Sequence, residues 1–102
     1  MIRHIVFFSA KDRNDISRIA EALEALGRIP HSDFFEIGRN RRVDRLSGEV
    51  DVVVYGEFRD EAALEAYKAH PIYQETIAKV RPLREMRIVA DFVSKRETLP
   101  GR

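Results

Sequence analysis

The stretch Val50–Gln74, VDVVVYGEFRDEAALEAYKAHPIYQ, constrains the fold more than any other part of the chain. Residues 50–58 are rich in β-branched and aromatic side chains, as half-buried strands are. Asp60 is a good N-cap for a helix over residues 62–69, which are mostly strong helix formers. Pro71 lacks a backbone donor and disfavours helical backbone before it, so it predicts a break. The stretch therefore predicts a strand, a helix and a helix boundary.

The other elements are predicted from hydrophobic periodicity. Residues 2–9 and 84–93 indicate strands, and 34–40 indicates a weaker one. Residues 16–26 carry one apolar stripe at helical spacing, and 72–80 indicates a second short helical piece.

Smaller signals mark the ends of these elements. Asp12 or Asn14 can cap the first helix, and Gly27 is well placed as its C-terminal stop. Gly38, inside the second strand, indicates a bulge or a close approach of another backbone or ligand. The polar stretch 39–49 predicts a hairpin loop.

The order strand, helix, strand, strand, helix, strand predicts an α+β fold. It is the ferredoxin-like βαββαβ arrangement with a four-stranded antiparallel sheet. We expect one domain over residues 1–93, because no repeat and no long linker divides the chain. Residues 94–102 are polar and predict a mobile C-terminal tail.

Apolar residues on both faces of the predicted sheet indicate a dimer. On the first strand, His4 shares one face with apolar residues, while Ile5 and Phe7 lie on the other. Two helices cover only one face of the sheet. Each large apolar side chain left exposed to water on the other face would lose about 1.5–3 kcal/mol of stabilisation from burial. We therefore expect a homodimer packed sheet to sheet, a dimeric α+β barrel that encloses a space between the sheets.

Composition excludes several classes of protein. The net charge is +1, with 18 basic and 17 acidic residues, so no overall field attracts nucleic acid or an anionic membrane surface. Cysteine is absent, which excludes disulfides and thiolate chemistry and suits a reducing compartment. The N-terminal apolar run is too short for a signal peptide, and no stretch is long enough to span a membrane. We expect a cytoplasmic protein without nucleic-acid or membrane partners.

Three pieces of the sequence together resemble the stress-responsive A/B barrel (Dabb) family, a branch of the dimeric α+β barrels. They are IRHIVFF at the N-terminus, EIGRN around Gly38 and Asn40, and GEFRDEAALEAYKAHPIYQ followed by MRIVADF. The resemblance implies a ferredoxin-like protomer and a homodimeric barrel. Many members of the family have no assigned activity, and a few plant and fungal relatives are cofactor-free polyketide cyclases.

The resemblance also implies candidate site residues. His4, Tyr67 and His70 match catalytic positions of the cyclases. Tyr73 stands where the cyclases have their basic histidine, and Val52 stands where they have a further pocket histidine. A neutral tyrosine, with an ordinary pKa near 10, is a poor base. These two positions, with Asn40, are expected to line a ligand pocket.

Each candidate also has a purely structural interpretation. His4 is either an acid or base in a pocket or a buried, hydrogen-bonded histidine. His70 either reaches a pocket or satisfies a backbone group at a helix end. Tyr67, three residues before His70, either donates a hydrogen bond to a substrate carbonyl or is a core aromatic residue.

The loop around Asn40 contains four arginines that suit carboxylates or phosphates but lack stacking aromatic residues. They are Arg39, Arg41, Arg42 and Arg45. Their alternative role is a solvated loop or ion pairs at the rim of the dimer. His4, His31 and His70 are far apart in the sequence, and no metal-binding spacing or phosphate loop occurs, so no metal and no cofactor is expected.

These observations predict a homodimeric protein of the Dabb type without assigned activity, holding a small apolar or aromatic ligand in a pocket between the sheets. The alternative is a cofactor-free enzyme, polyketide-cyclase-like or monooxygenase-like, acting on an aromatic or polyketide-like substrate. A third hypothesis is that the arginine loop contacts an anion or nucleic acid.

Overall fold

The computed structural model describes residues 1–96 and contains four strands and three α-helices in that range. In chain order they are β1 (Ile2–Ala10), α1 (Ile16–Glu24), β2 (Phe34–Arg39), β3 (Val52–Phe58), α2 (Glu61–Ala69), α3 (Pro71–Val80) and β4 (Arg84–Val93). Short 3₁₀ turns, Arg13–Asp15 and Ala25–Arg28, flank α1. Residues 97–102 of the predicted tail lie outside the described range.

The strands form one antiparallel sheet in the order β2-β3-β1-β4. This order places β1 and β3 in the centre and leaves β2 and β4 at the edges. The predicted ferredoxin-like α+β fold is therefore confirmed.

One face of the sheet is covered by the helices and forms the core; we call it the covered face. The paired residues Val6, Val54 and Ile37 lie on it and pack against Leu23 of α1 and Leu64 of α2. Among residues 1–96, the buried apolar side chains are Val6, Phe8, Ile19, Ala20, Leu23, Leu26, Ile29, Val52, Val54, Phe58, Leu64, Tyr67 and Val80. Each is less than about one-tenth exposed, so the protomer has one continuous core.

The opposite face, which we call the open face, carries no helix. One row of directly paired residues crosses it: Gly38, Val53, Phe7 and Ile88. Phe34, Ile88 and Phe92 are 47%, 53% and 50% exposed, respectively. The apolar open face predicted from the strand pattern is therefore present in the protomer.

Side chains cap the helices at the predicted places. Asp60 accepts a hydrogen bond from the Ala63 backbone nitrogen at 2.9 Å. Asp12 caps the 3₁₀ turn before α1 by accepting from the Asn14 backbone nitrogen at 2.9 Å. Each cap satisfies a donor that the helix itself leaves unpaired.

The helix stop predicted at Gly27 and the bulge predicted at Gly38 were wrong. Gly27 does not stop the helix, because the chain continues through a 3₁₀ turn to Arg28; its missing side chain instead makes room for Phe35, whose ring would lie 3.2 Å from an added Cβ. Gly38 is not in a bulge, and the close approach of a ligand or of another chain's backbone stays a prediction. Gly38 pairs regularly with Val53, and an added Cβ would have nothing within 4 Å in the protomer.

Candidate functional site

The side chain of His4 projects from the central strand β1 into the covered face. It is 2% exposed, and its Nδ1 lies 2.5 Å from Oδ1 of Asp91, its direct partner on β4. A carboxylate only accepts hydrogen bonds, so the Nδ1 of His4 carries the proton. In the neutral ring, Nε2 is then an acceptor directed away from Asp91.

Two tyrosines from different helices meet beside His4. Tyr67 of α2 is 1% exposed, and its ring centroid lies 5.9 Å from that of His4. Tyr73 of α3 is partly buried, and its ring centroid lies 5.3 Å from that of Tyr67. They come together because α2 ends at Ala69 and α3 begins at Pro71, with His70 extended between them.

A small cavity of about 10 Å³ lies within the protomer, between the sheet and the helices, and this volume suits about one water molecule. Its lining residues are His4, Val6, Phe8, Leu23, Leu26, Val54, Tyr67, Tyr73, Ile77 and Arg87. The candidate residues therefore face the interior of one protomer, on the side of the sheet opposite to the space that would lie between two stacked sheets.

Two polar atoms at this cavity are available to a ligand. Within residues 1–96, the Nε2 of His4 and the hydroxyl of Tyr67 make no hydrogen bond, whereas every completely buried side-chain nitrogen or oxygen there has a partner. Neither atom is therefore completely buried, and both residues line the cavity. They offer an acceptor and a donor among apolar side chains.

Burial sets the protonation states of both groups. It lowers the pKa of His4 below its ordinary 6.5; the hydrogen bond and charge of Asp91 oppose this shift, and Lys68 and Arg87 add to it. Burial also raises the pKa of Tyr67 far above 10, helped by Tyr73 and opposed by Arg87. At neutral pH, the site therefore presents a neutral imidazole and a neutral phenol.

Arg87 of β4 lines the same cavity and lies four residues before Asp91 on the same face of the strand. It is partly buried, and its Nη2 donates to the hydroxyl of Tyr73 at 3.3 Å. Arg87 also lines a groove of about 670 Å³ between the end of β1, the start of β4 and the loop before β3. The Arg87–Tyr73 pair thus lies between the small cavity and this groove.

Two other predicted residues lie near this group without lining the cavity. Val52 is completely buried in β3 on the covered face, where it pairs with Phe8. His70 accepts a hydrogen bond from the Ile72 backbone nitrogen at 3.1 Å and so caps α3. Its ring lies 6.1 Å from that of His31, although the two histidines are distant in the sequence. Their functional roles stay predictions.

Asn40 and the arginine loop lie apart from the His4 cavity. The amide nitrogen of Asn40 donates to the carbonyl oxygens of Ser47 and Val50 at 2.7 Å each, and its oxygen accepts from the Arg42 backbone nitrogen at 3.0 Å. Arg42 forms an ion pair with the buried Asp51, which also accepts from the Ala10 backbone nitrogen at 2.8 Å. These contacts tie the loop to the end of β1.

Sequence reasoning did not identify Asp91 or Arg87 as site residues. The alternation of β4 placed both on one face, opposite Ile88, but nothing in the sequence paired them with His4 or Tyr73. The available signal was the ferredoxin-like strand order, which makes β4 the neighbour of β1.

Within residues 1–96, no group of three or more His, Asp or Glu side chains is arranged to hold a metal ion. None of the helices in this range has the length and hydropathy needed to cross a bilayer.

The chain resembles several solved structures over most of its length. A dimeric ferredoxin-like protein of unknown function from Thermobifida fusca has a TM-score of 0.77 at 25% identity, covering 91% of this chain and 90% of that one. A Dabb family protein with a ferredoxin-like fold from Mesorhizobium loti has a TM-score of 0.76 at 26% identity, covering 91% and 95%. A hydroxynitrile lyase from Passiflora edulis, at 22% identity, has a TM-score of 0.75 over 97% and 96%, which shows the shared fold alone.

The family comparison covers the same region as the described fold. None of the curated proteins matches this sequence. The family model of the stress responsive A/B barrel domain (Dabb) matches residues 2–94, which include all four strands and all three α-helices. The chain therefore belongs to the Dabb family.

Proposed function

We propose that this protein binds a small, mostly apolar molecule through the cavity beside His4 and Tyr67. One observation carries the proposal: a neutral acceptor and a neutral donor border one apolar cavity without a protein partner among residues 1–96. An apolar pocket with a few convergent polar groups is the usual form of a small-molecule site. A ligand with one hydroxyl or carbonyl group would satisfy both atoms.

Ligand entry requires a change in the wall of the cavity, because about 10 Å³ holds no molecule larger than water. The Tyr73–Arg87 pair is the part of the wall best able to move. Both side chains are only partly buried, and one hydrogen bond of 3.3 Å joins them. Leu23 and Val54, in contrast, are buried in the continuous core.

We also propose that two protomers associate through their open faces. The apolar row that crosses this face supports the proposal, and so does the dimeric state of the similar Thermobifida fusca protein. Paired open faces would bury Ile88 and Phe92, which are half exposed in the protomer. The His4 cavity would then remain separate in each copy.

Titration with 4-propylphenol, followed by NMR chemical shifts, tests the binding site. We expect saturable shifts of residues around the cavity, and weaker binding by about tenfold in Tyr67→Phe, which lacks the hydroxyl. Tyr55→Phe is the matched control, because Tyr55 lies on the open face, where its hydroxyl donates to Glu57 at 2.6 Å. Absence of shifts at the cavity, or equal loss in both variants, would contradict the proposal.

A second candidate function, proton abstraction next to a carbonyl, is favoured by the His4–Asp91 hydrogen bond. A base held by a carboxylate has its free nitrogen oriented for proton transfer. The Nε2 of His4 would take the proton from carbon, and the Tyr67 hydroxyl would donate a hydrogen bond to the developing enolate oxygen.

Exchange of deuterium into cyclic 1,3-diketones and aryl ketones tests this reaction. The wild-type protein should accelerate exchange above the buffer rate, and His4→Asn should lose about 10²–10⁴-fold. Asp91→Asn should retain binding but exchange more slowly, because it no longer fixes the tautomer of His4. If compounds bind but their deuterium exchange is not accelerated, the second candidate function is wrong and ligand binding remains the proposed function.

A further inference from the structure

We propose that the ligand of the His4–Tyr67 site is an organic carboxylate whose carboxyl group binds Arg87. The inference rests on the proposed binding function and specifies the chemical class of the ligand. Arg87 lines the cavity together with the apolar side chains, so a molecule with an apolar body and one anionic end would match it.

Arg87 is partly buried and its charge has no ion-pair partner within residues 1–96. Within residues 1–96, no carboxylate lies within ion-pair distance of Arg87, and its side chain makes a single hydrogen bond, to the neutral hydroxyl of Tyr73 at 3.3 Å. Four other arginines in this range pair with carboxylates: Arg3 with Glu57, Arg18 with Asp15, Arg42 with Asp51, and Arg59 with Asp33. A partly desolvated guanidinium without a counter-charge is a favourable position for an anion.

The charge of Arg87 acts on the interior of the site. Burial is the main cause of both pKa shifts; the charge of Arg87 adds to the lowering at His4 and opposes the rise at Tyr67. A bound carboxylate would neutralise this charge and accept two parallel hydrogen bonds from the guanidinium fork. It would also replace the 3.3 Å contact to the Tyr73 hydroxyl, which frees the ring of Tyr73 to move.

The strand register sets the direction of the ligand. Asp91 and Arg87 lie on the same face of β4, four residues and thus about 13 Å apart along the strand. Asp91 is already occupied by His4 at one end, and its negative charge disfavours a second carboxylate there. The carboxyl group therefore belongs at the Arg87 end, with the apolar body directed past Val6 toward His4.

The groove outside Arg87 is the route of entry. It has a volume of about 670 Å³ and is lined by Arg13 and Arg84 but also by Glu49 and Glu85. Its buried carboxylate, Asp51, is already engaged by Arg42 and by the Ala10 backbone nitrogen. An organic anion would therefore pass side chains of both signs before it reached the Arg87–Tyr73 pair.

A matched pair of ligands separates charge from shape. Binding of 4-propylbenzoate and of its neutral, nearly isosteric amide, 4-propylbenzamide, is measured by NMR titration and calorimetry. The wild-type protein should prefer the carboxylate by about ten- to hundredfold, the value of one desolvated charge-assisted hydrogen-bonded pair. Arg87→Gln should abolish the preference while still binding the amide, and Arg87→Lys should retain part of it.

Arg84→Gln is the control, since Arg84 is also partly buried, has no ion pair within residues 1–96, and lines the groove but not the small cavity. It should keep the preference for the carboxylate. If the amide binds as tightly as the carboxylate, or if Arg87→Gln keeps the preference, the carboxylate assignment is overturned and the binding site stands. If neither compound binds, the proposed function and this inference fall together; thermal unfolding of each variant verifies that it is folded.

Discussion

The covered and open faces belong to the same four strands, yet they differ in what their side chains contact. On β1, Val6 and Phe8 are 3% and 2% exposed on the covered face, whereas Ile5 and Phe7, on the open face, are only partly buried. Alternate residues of one strand point to opposite faces of the sheet, and on β1 both sets are apolar. The covered face is packed within one chain except at the edge strand β4, where Val89 and Val93 are 43% and 71% exposed. The open face has no such cover within the protomer.

Polar groups also follow this division. On the covered face, the buried His4 pairs with the exposed Asp91 of the edge strand β4, beside an apolar cavity. On the open face, the side chains of Arg3, Tyr55 and Glu57 hydrogen-bond to one another at the rim of the apolar row. The first group belongs to the proposed ligand site, and the second lies on the face of the proposed interface.

The largest expected effect is on association through the open face. Ile88→Glu places a charge on each side of the proposed twofold interface, and each unpaired buried carboxylate costs about 3–5 kcal/mol. We expect the variant to be monomeric by light scattering at concentrations where the wild type is dimeric. Leu46→Glu is the control, because Leu46 is 89% exposed in the loop before β3. A dimeric Ile88→Glu protein would show that the open face is not the interface.

The next effect concerns the core of the protomer. Phe58 is completely buried on the covered face, so Phe58→Ala should reduce the free energy of unfolding by about 3–5 kcal/mol in urea denaturation. Phe92, half exposed on the open face, provides the comparison. Phe92→Ala should reduce the free energy of unfolding by less than Phe58→Ala does. The size of its effect should also depend on protein concentration, unlike that of Phe58→Ala. Equal, concentration-independent losses would contradict the distinction between the faces.

Two glycines allow the smallest steric test of the comparison. Gly56, opposite His4 on the covered face, would place an added Cβ 2.9 Å from the ring of Phe58. Gly56→Ala should therefore destabilise the protein by about 1–3 kcal/mol. Gly38→Ala, on the open face, should be neutral or stabilising by up to about 1 kcal/mol in the protomer, because nothing lies within 4 Å of its added Cβ. Thermal unfolding of both variants in the Ile88→Glu background, which we expect to be monomeric, measures the difference.

The pH dependence of stability isolates one buried group of the covered face. Because the pKa of His4 is lowered below 6.5 in the folded protein, the unfolded chain binds a proton there more readily. The stability contributed by the neutral His4 ring is fully present above pH 6.5. It is lost as the pH falls through 6.5 toward the lower pKa of the folded protein. His4→Asn should flatten the fall in Tm on acidification through this range. An unchanged slope would mean that His4 is not buried as a neutral ring.

Most of the fold was predictable because local patterns and the packing agree. The bounds of β4 follow directly from its alternating residues, and Asp60 and Pro71 mark helix ends whose chemistry is local. The roles of Gly27 and Gly38 were not predictable, because glycine occurs in turns, in bulges and at close packing contacts alike. Only the positions of Phe35 and of the paired strand β3 distinguish these roles.

The site was predictable only in part. Strand alternation and the family resemblance indicated His4 and Tyr67, but the pairing of His4 with Asp91 depends on the register of β4 on β1. Most of the chain separates these two strands, and no short turn determines how they align. The contact of Arg87 with Tyr73 depends on the same register and on the angle between α2 and α3.

The extended residue between α2 and α3 determines which aromatic rings can meet. Tyr67 and Tyr73 are six positions apart, which in an uninterrupted helix would place them about 120° apart around the axis. The joint at His70 brings their ring centroids within 5.3 Å instead. One alanine inserted after Ala69 would turn one ring about 100° away from the other if it extended α2. Chain length at this joint is therefore as decisive for the cavity wall as the identity of either tyrosine.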